Sequence, residues 1–383
     1  MVILMNLFSK STGTNMNLTP HQNNIYASNP SGKFFSPFNL IIDDMERLIL
    51  VNFEKDPDEH YNILEFQQAC DKNEKRSFLV IAYRNDGAAD VYHQADYPFA
   101  SQASILNDVK FFVSPLENAK FEIKPDSLEV YFSFQDKMGR EIKVKVNELR
   151  REKKQPFSLL APVGVISRNP TSLPVYSLNE MSFTNQKHTQ IDIEINNRKH
   201  KPDAFPLPLD FSKNYFTRYS ADTFNVDWNR NYDGPLNPLF PINNKAEAQG
   251  TTYELINNNG HYEIKCMSTK NKEHNLDINF SPPIPDIACL KEDFSSDGNF
   301  TITTDKTPGT LSGVYFLKRL GDEISIKIHP KYGWQPNERR LILKFLFLFI
   351  KVFKQWPKSY VWNAKIKLDS SNLPMMKSSW KRI

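Results

Sequence analysis

A chain of 383 residues with 40% hydrophobic and 13% aromatic content can fill sizeable cores, which excludes a disordered protein. Its 48 basic and 44 acidic residues leave a net charge of only +4, which is too small to indicate nucleic-acid binding by charge alone. The three cysteines, Cys70, Cys266 and Cys289, form no CxxC pair, which argues against a disulfide framework and against a zinc site.

The first residues, MVILMNLF, are apolar but lack the basic leader and the small-residue cleavage site of a signal peptide. We therefore expect a cytoplasmic protein in which residues 1–32 form a flexible N-terminal segment. Only 13 glycines are present, and the chain contains neither a GxGxxG nor a GxxxxGK[ST] pattern, so phosphate-binding loops are not expected.

Residues 33–215 alternate apolar and polar side chains with period two, which predicts a first domain of antiparallel strands. An Asp-Gly turn provides the positive φ that a tight hairpin needs, and other turns contain Gly or Asn. The clearest predicted elements are a hairpin of Phe78–Arg84 and Ala89–Gln94, a hairpin of Leu128–Gln135 and Ile142–Val146, and a strand at Thr189–Ile195. Residues 44–51 and 63–70 fit either a helix or a strand.

Prolines mixed with aromatic residues mark 216–245 as a junction between two β domains. These residues are too apolar for a solvated linker, so we expect them to pack between the domains. Residues 246–383 then repeat the alternating pattern and predict a second β domain. Its strands are expected at Thr252–Ile256, Tyr262–Met267, Leu276–Phe280, Phe300–Thr304, Gly309–Leu320, Glu323–His329 and Tyr360–Leu368.

One helix is predicted at about 337–356, beginning at Asn337 as N-cap and ending before Pro357. Its polar residues fall on one narrow basic stripe, and its other faces are apolar. We weigh three roles for it: a core element, a subunit interface, or a helix lying on a membrane surface. The residues expected to contact a membrane or a partner are Arg340, Lys344, Phe347, Lys351 and Trp356. The apolar run is too short to span a bilayer.

Antiparallel strands followed by one helix and a closing strand resemble the C-terminal end of lipocalin-like barrels. Two such units in one chain are similar to the tandem lipocalin-like proteins related to hydroxyneurosporene synthase (carotenoid 1,2-hydratase) and the AttH group. The resemblance lies in architecture and transfers no catalytic residue. It implies an all-β fold of two barrel-like or sandwich-like units and a cavity for an apolar ligand, such as a lipid or an isoprenoid.

Asp90 and Tyr92 lie two residues apart on a predicted strand and therefore share one face. A carboxylate and a phenol that point into a cavity could together protonate an alkene or a carbonyl group. Arg218, in a polar and aromatic group at the junction, is the third candidate catalytic residue. The alternative is that Asp90 and Tyr92 face water and that the junction group is only a packed contact.

Tyr131, Tyr219 and Trp228 are the aromatic residues expected to contact an apolar ligand. We expect no metal and no cofactor, because the histidines show no spacing like HExxH and His261 follows a turn glycine, which predicts a solvent-facing ring. Three functions stay open: a binder of an apolar small molecule, an enzyme that hydrates, cyclises or isomerises such a molecule, and an interaction protein with filled interiors.

Overall fold

The computed structural model describes residues 25–71, 73–98, 108–149, 156–164, 167, 169–184, 188–203, 217–304, 308–368 and 373–383. These residues form strands and two short helices, α1 (Leu341–Phe349) and α2 (Lys351–Gln355), with a 3-10 turn at Ile287–Cys289. The strands are β1 (Phe34–Phe35), β2 (Leu40–Asp43), β3 (Met45–Asn52), β4 (Tyr61–Cys70), β5 (Arg76–Arg84), β6 (Ala89–His93), β7 (Lys110–Val113), β8 (Lys120–Lys124), β9 (Ser127–Gln135), β10 (Glu141–Leu149), β11 (Phe157–Leu160), β12 (Leu173–Phe183), β13 (Thr189–Ile195), β14 (Arg198–His200), β15 (Arg218–Trp228), β16 (Tyr232–Pro235), β17 (Pro238–Leu239), β18 (Lys245–Ala248), β19 (Thr251–Asn258), β20 (His261–Asn271), β21 (His274–Ile284), β22 (Ser295–Thr304), β23 (Thr310–Leu320), β24 (Glu323–Gln335), β25 (Tyr360–Lys367) and β26 (Met375–Arg382).

Three large sheets organise the described chain, which confirms the all-β prediction. A nine-stranded sheet has the order β11-β12-β15-β3-β4-β5-β6-β7, with β2 also paired to β15. A five-stranded sheet has the order β14-β13-β10-β9-β8, and a ten-stranded sheet runs β16-β26-β25-β24-β23-β22-β21-β20-β19-β18. All the pairs in these sheets are antiparallel except β6 with β7, so short turns can join most neighbouring strands.

The first core lies between the five-stranded sheet and strands β3 to β6 of the nine-stranded sheet. The hairpin β9–β10 shows how its sequence produces this packing, because Val130 pairs with Val146 and Phe132 with Val144 while the alternate residues face outwards. This hairpin and the hairpin β5–β6 were both predicted correctly.

The second core lies between the ten-stranded sheet and the other face of β2, β3, β11, β12 and β15. On β4 to β6 that face packs in a separate, smaller cluster with Tyr97. Trp228 and Val226 on β15 pack there with Ile278, Phe280 and Phe300 of the ten-stranded sheet. The nine-stranded sheet is therefore covered on both faces near its centre. Because both faces are buried, the residues of β12 and β4 are buried almost continuously and do not alternate between buried and exposed. For this reason the sequence did not predict β12 and left 63–70 ambiguous between helix and strand.

The predicted junction 216–245 contains β15, which lies between β12 and β3 in the nine-stranded sheet, and β16, which is an edge of the ten-stranded sheet. The chain therefore passes from one sheet to the other within Trp228–Tyr232. Residues 1–24 of the predicted flexible segment 1–32 lie outside the described residues. Its described end is packed, since Tyr26 is buried and bridges to Leu290.

Of the two forms predicted for the units, barrel-like and sandwich-like, the described sheets have the sandwich-like form. In the part of the chain that the structure describes, the order of the ten-stranded sheet ends at β16 and β18, which do not pair with each other. The nine- and five-stranded sheets are likewise separate and pack face to face. The described sheets thus pack against one another as sandwiches.

The single helix predicted at 337–356 was also wrong in its extent. Helix begins at Leu341, because the Glu338 carboxylate accepts the backbone N–H groups of Arg339 and Arg340 (2.8 and 2.9 Å) and holds that segment outside the helix. Ile350 has an extended backbone (φ −68°, ψ 118°) and separates α1 from α2. Among the described residues, no helix has the length and apolar character needed to cross a bilayer.

The helical segment is partly a core element. Phe347 is 4% exposed and packs against the rings of Phe157, Trp334 and Phe353 at centroid distances of 6.3, 5.0 and 5.2 Å. Trp356 is fully buried. Neither side chain can contact a membrane or a partner, so that prediction fails for these two residues. Arg340 is half-buried beside Glu338 (2.7 Å), and Lys344 and Lys351 are exposed.

Phe347→Asp should lower the free energy of unfolding by about 3 kcal/mol or more, because it removes a buried ring and buries a carboxylate. Phe345→Asp is the matched control, since the Phe345 side chain is 52% exposed, and it should change stability by no more than about 0.5 kcal/mol. Urea unfolding monitored by tryptophan fluorescence measures both. Equal stability of the two variants would contradict a core position for α1.

Candidate functional site

One face of the nine-stranded sheet joins the two halves of the molecule, and we call it the inter-unit face. Along β15, Phe224, Val226 and Trp228 on this face contribute to the second core, and the alternation places Arg218 on the same face. Directly opposed residues of neighbouring strands share a face. The row through Arg218 therefore continues as Phe183, Arg218, Leu50, Glu65, Ile81 and Val91.

A polar set interrupts this otherwise apolar face, and it consists of Asn52, Glu65, Gln67, Tyr83 and Arg218. The Glu65 carboxylate, 9% exposed, accepts hydrogen bonds from the Tyr83 hydroxyl (2.7 Å) and from Gln67 Nε2 (2.6 Å). Arg218 Nη1 donates to Asn52 Oδ1 (3.2 Å). Glu65 is thus a buried carboxylate held by two neutral donors.

Burial and the negative charge of Glu65 raise the pKa of the Tyr83 hydroxyl well above its usual value, so this phenol is protonated at neutral pH. Burial lowers the pKa of the Arg218 guanidinium, and the charge of Glu65 opposes that shift. A guanidinium keeps its proton in proteins. The set therefore combines one cation, one protonated phenol and one carboxylic group on an apolar sheet face.

Three contacts from the second half of the chain reach the same sheet. At the β20–β21 turn, Lys272 pairs with Glu46 on β3 (3.2 Å), and His274 Nε2 bonds to Asp222 on β15 (2.8 Å). Farther along the chain, the Arg340 guanidinium lies over the ring of Phe157 on β11 (5.6 Å from its centroid). Ligand sites are frequent where two structural units meet, and two of the strands that carry the polar set, β3 and β15, take part in these contacts.

The predicted pair Asp90 and Tyr92 lies on the opposite face of the sheet, facing the first core. Asp90 is fully buried and accepts hydrogen bonds from the Tyr61 hydroxyl (3.0 Å) and Lys137 Nζ (2.7 Å), with Arg84 at 3.4 Å. The hydroxyls of Tyr61 and Tyr92 are 2.8 Å apart. The structure thus brings Asp90 and Tyr92 together through Tyr61 but places Arg218 across the sheet.

The network around Asp90 holds the β9–β10 turn against the nine-stranded sheet. The backbone N–H of Lys137 donates to the Tyr92 hydroxyl (3.1 Å). Next to it, Arg140 binds both carboxylate oxygens of Asp58 (3.1 and 3.0 Å) and also Asp136 (2.9 Å). Each carboxylate has a cationic partner, which is typical of a structural network. A catalytic role for Asp90 and Tyr92 stays a prediction.

The three aromatic residues expected to bind a ligand lie in three different places. Tyr131 is partly exposed on the five-stranded sheet, opposite Lys145 and Lys120. Tyr219 belongs to the first core and Trp228 to the second. The structure therefore does not bring them to one site.

Sequence reasoning missed Glu65, Gln67 and Tyr83. The available signal was the pair of polar residues at 65 and 67, which alternate with Leu64 and Phe66. That alternation normally indicates a solvent-exposed strand face. Only the burial of Glu65 and Gln67 in the folded chain shows that this face is covered by protein.

A second buried polar cluster lies in the other half of the molecule. His261, Asp286 and Cys289 are 6%, 3% and 5% exposed, and their ligand atoms lie within 4.8 Å of one another. Burial raises the pKa of the Cys289 thiol to about 11 and also raises the pKa of Asp286. The predicted solvent-facing position of His261 was wrong, because the ring of Tyr26 covers it at 3.9 Å.

An open groove of about 610 Å³ crosses the ends of β9, β10 and β13. Glu129, Glu148 and His188 are among the residues that line it, and Thr189 donates to Glu148 (2.9 Å). Its charged lining does not suit an apolar ligand.

Lys137→Met should lower the free energy of unfolding by roughly 2–4 kcal/mol, because Asp90 would lose its nearest cation while remaining buried. Lys120→Met is the matched control: it breaks the exposed Lys120–Glu129 pair (2.8 Å) and should cost less than about 1 kcal/mol. Urea unfolding at pH 7 gives both values. Similar small losses would show that Asp90 is stabilised by Tyr61 and Arg84 without Lys137.

Comparison of the chain with protein-family models, with curated proteins and with solved structures returns no match. The resemblance to tandem lipocalin-like proteins therefore stays a prediction from architecture. Any statement of function depends on the geometry described above.

Proposed function

We propose that this chain binds an apolar small molecule of the lipid or isoprenoid class on the inter-unit face. The observation that supports the proposal is the polar set, a group of hydrogen-bonding and charged side chains among aliphatic neighbours. Leu50, Ile81 and Val91 share the cross-strand row with Glu65 and Arg218. Few polar groups on an apolar lining are typical of sites that orient an apolar ligand by its one polar end.

The chemistry of the set favours a neutral polar end on the ligand. Arg218 and Gln67 carry N–H donors beyond the one that Gln67 gives to Glu65, whereas the single O–H of Tyr83 is already donated to Glu65. The Glu65 carboxylate repels a negative charge close to it. A hydroxyl or carbonyl group therefore fits the set better than a carboxylate or a phosphate. An isoprenoid or fatty alcohol, aldehyde or ketone has this combination.

A membrane surface is the proposed source of such a ligand. Leu341 and Phe345 on α1 are 81% and 52% exposed, and Lys344, Lys351 and Lys354 are exposed beside them. Exposed aromatic and aliphatic groups next to lysines are the composition of interfacial helices. The proposed contact is peripheral and involves only this side of α1 and α2.

The second candidate is an enzyme acting on the same ligand by acid–base chemistry. The Tyr83 hydroxyl lies 2.7 Å from Glu65 Oε2, which places a protonated phenol beside a carboxylic group. Such a pair can give a proton to an alkene or a carbonyl group and take one from an adjacent carbon or water. Hydration, cyclisation and isomerisation all need these two steps.

Native mass spectrometry of the chain purified from its own host, followed by organic extraction, tests the binding proposal. We expect one neutral lipid or isoprenoid per chain in the parent protein and less than about a tenth of that amount in Arg218→Met, because the lost guanidinium orients the polar end. Arg198→Met is the matched control, since Arg198 is an exposed arginine on β14, at the end of the five-stranded sheet, and is paired with Asp56 (2.8 Å).

A defined probe gives a second measurement when no ligand co-purifies. All five tryptophans belong to the second core (Trp228, Trp334, Trp356, Trp362 and Trp380), so a bound conjugated polyene alcohol should quench their fluorescence by energy transfer. Equal quenching in the parent, Arg218→Met and Glu65→Gln proteins would place the probe elsewhere. An empty protein without quenching would favour an interaction protein with filled interiors. Recovery of a chemically altered probe would favour the enzyme.

A further inference from the structure

Two segments, the start of β20 and a 3-10 turn, place a histidine, a carboxylate and a thiol together in the second half of the molecule. His261 begins β20, Asp286 precedes the 3-10 turn at Ile287–Cys289, and Cys289 ends that turn. A 3-10 helix has three residues per turn, so side chains at positions i and i+3 lie on the same side. Asp286 and Cys289 have this spacing, and both face His261.

The imidazole is buried and its Nδ1 atom has no hydrogen-bond partner among the described residues. Nδ1 lies 3.5 Å from Asp286 Oδ2, which is too long for a good hydrogen bond. Nitrogen and oxygen ligands of a tetrahedral zinc ion are separated by about 3.3–3.6 Å, as follows from bond lengths near 2.0–2.2 Å. The separation of the two atoms therefore fits a shared cation as well as it fits a direct ion pair.

The side chains of His261 and Asp286 are each held in place by a separate contact. The Tyr26 ring stacks on the imidazole (3.9 Å, 16° between the planes), and its hydroxyl donates to Glu263 Oε1 (2.7 Å). Asp286 Oδ1 accepts the backbone N–H of Ala288, which leaves Oδ2 directed at His261. Such supporting contacts are usual around metal ligands and fix their orientation.

The turn that delivers His261 is also constrained. Gly260 has φ +93°, and a Cβ atom at this position would come within 2.6 Å of Pro30. The N-terminal segment, residues 25–30, therefore packs directly on the hairpin turn. The backbone N–H of Ala27 donates to the carbonyl of Cys289 (2.8 Å), which ties the same segment to the third ligand.

We propose that His261, Asp286 and Cys289 bind a zinc ion that links the β19–β20 turn to the 3-10 turn. Sulfur, nitrogen and oxygen ligands together are typical of zinc, whereas calcium and magnesium take oxygen ligands. A thiolate and a carboxylate neutralise the double charge of zinc, which makes the buried site electrically balanced. Water completes the tetrahedron. The ion is structural, and its binding stabilises the folded chain.

Zinc titration of the EDTA-treated full-length protein by calorimetry tests this proposal, with cobalt(II) as a spectroscopic probe. We expect one equivalent of zinc, a higher melting temperature on binding, and a thiolate-to-cobalt charge-transfer band. Cys289→Ser and His261→Ala should weaken zinc binding by about 100-fold or more, beyond the effect of removing a supporting contact. Cys266→Ser is the matched control, because Cys266 is also a buried thiol, and it should bind zinc as the parent does.

Thiol alkylation of the unmodified chain avoids the possibility that a variant does not fold. Zinc should slow the alkylation of Cys289 at least about tenfold and leave the rate at Cys266 unchanged, since only a metal-bound thiolate is shielded by the metal. The proposal would be overturned if the parent bound no zinc, if Cys289→Ser bound it equally well, or if zinc changed both alkylation rates alike.

Discussion

The burial of the nine-stranded sheet on both faces is the constraint on which the rest of the structure depends. One face packs on the five-stranded sheet, and on β2, β3, β11, β12 and β15 the other face packs on the ten-stranded sheet, so the two halves of the chain share this sheet. β15 shows the consequence, because Tyr219 enters the first core and Trp228 the second. The predicted junction is therefore a central structural element.

Where a sheet is buried on both faces, its polar side chains need hydrogen-bond or ionic partners within the protein, since an unpaired buried group costs free energy. The molecule does this in two ways. Asp90 has cations beside it and a network that connects two sheets. Glu65 has neutral donors, and its cation, Arg218, bonds to Asn52. The first arrangement is that of a structural network, and the second is the one on which the proposal of ligand binding rests.

The sequence-based predictions succeeded where a single strand or hairpin decides the outcome. The β9–β10 hairpin follows from alternation and a Gly turn, and the placement of Asp90 and Tyr92 on one face of β6 follows from their spacing of two. They failed where a second element intervenes. A long helix was expected at 337–356. The helix begins only at Leu341, after Glu338 has accepted the backbone N–H of Arg340, and Ile350 interrupts it. His261 was expected in water because of its turn glycine, but Tyr26 covers it.

The sequence by itself determined the fold class, most strands of the second half and the absence of a long apolar span, because these depend on local period and composition. Only the tertiary structure decided which face of each strand is covered, and hence that Glu65 and Arg218 share a buried face while Asp90 lies across the sheet. It also brought His261 and Cys289 together. Such contacts depend on the pairing of distant strands, and no local pattern of residues records that pairing.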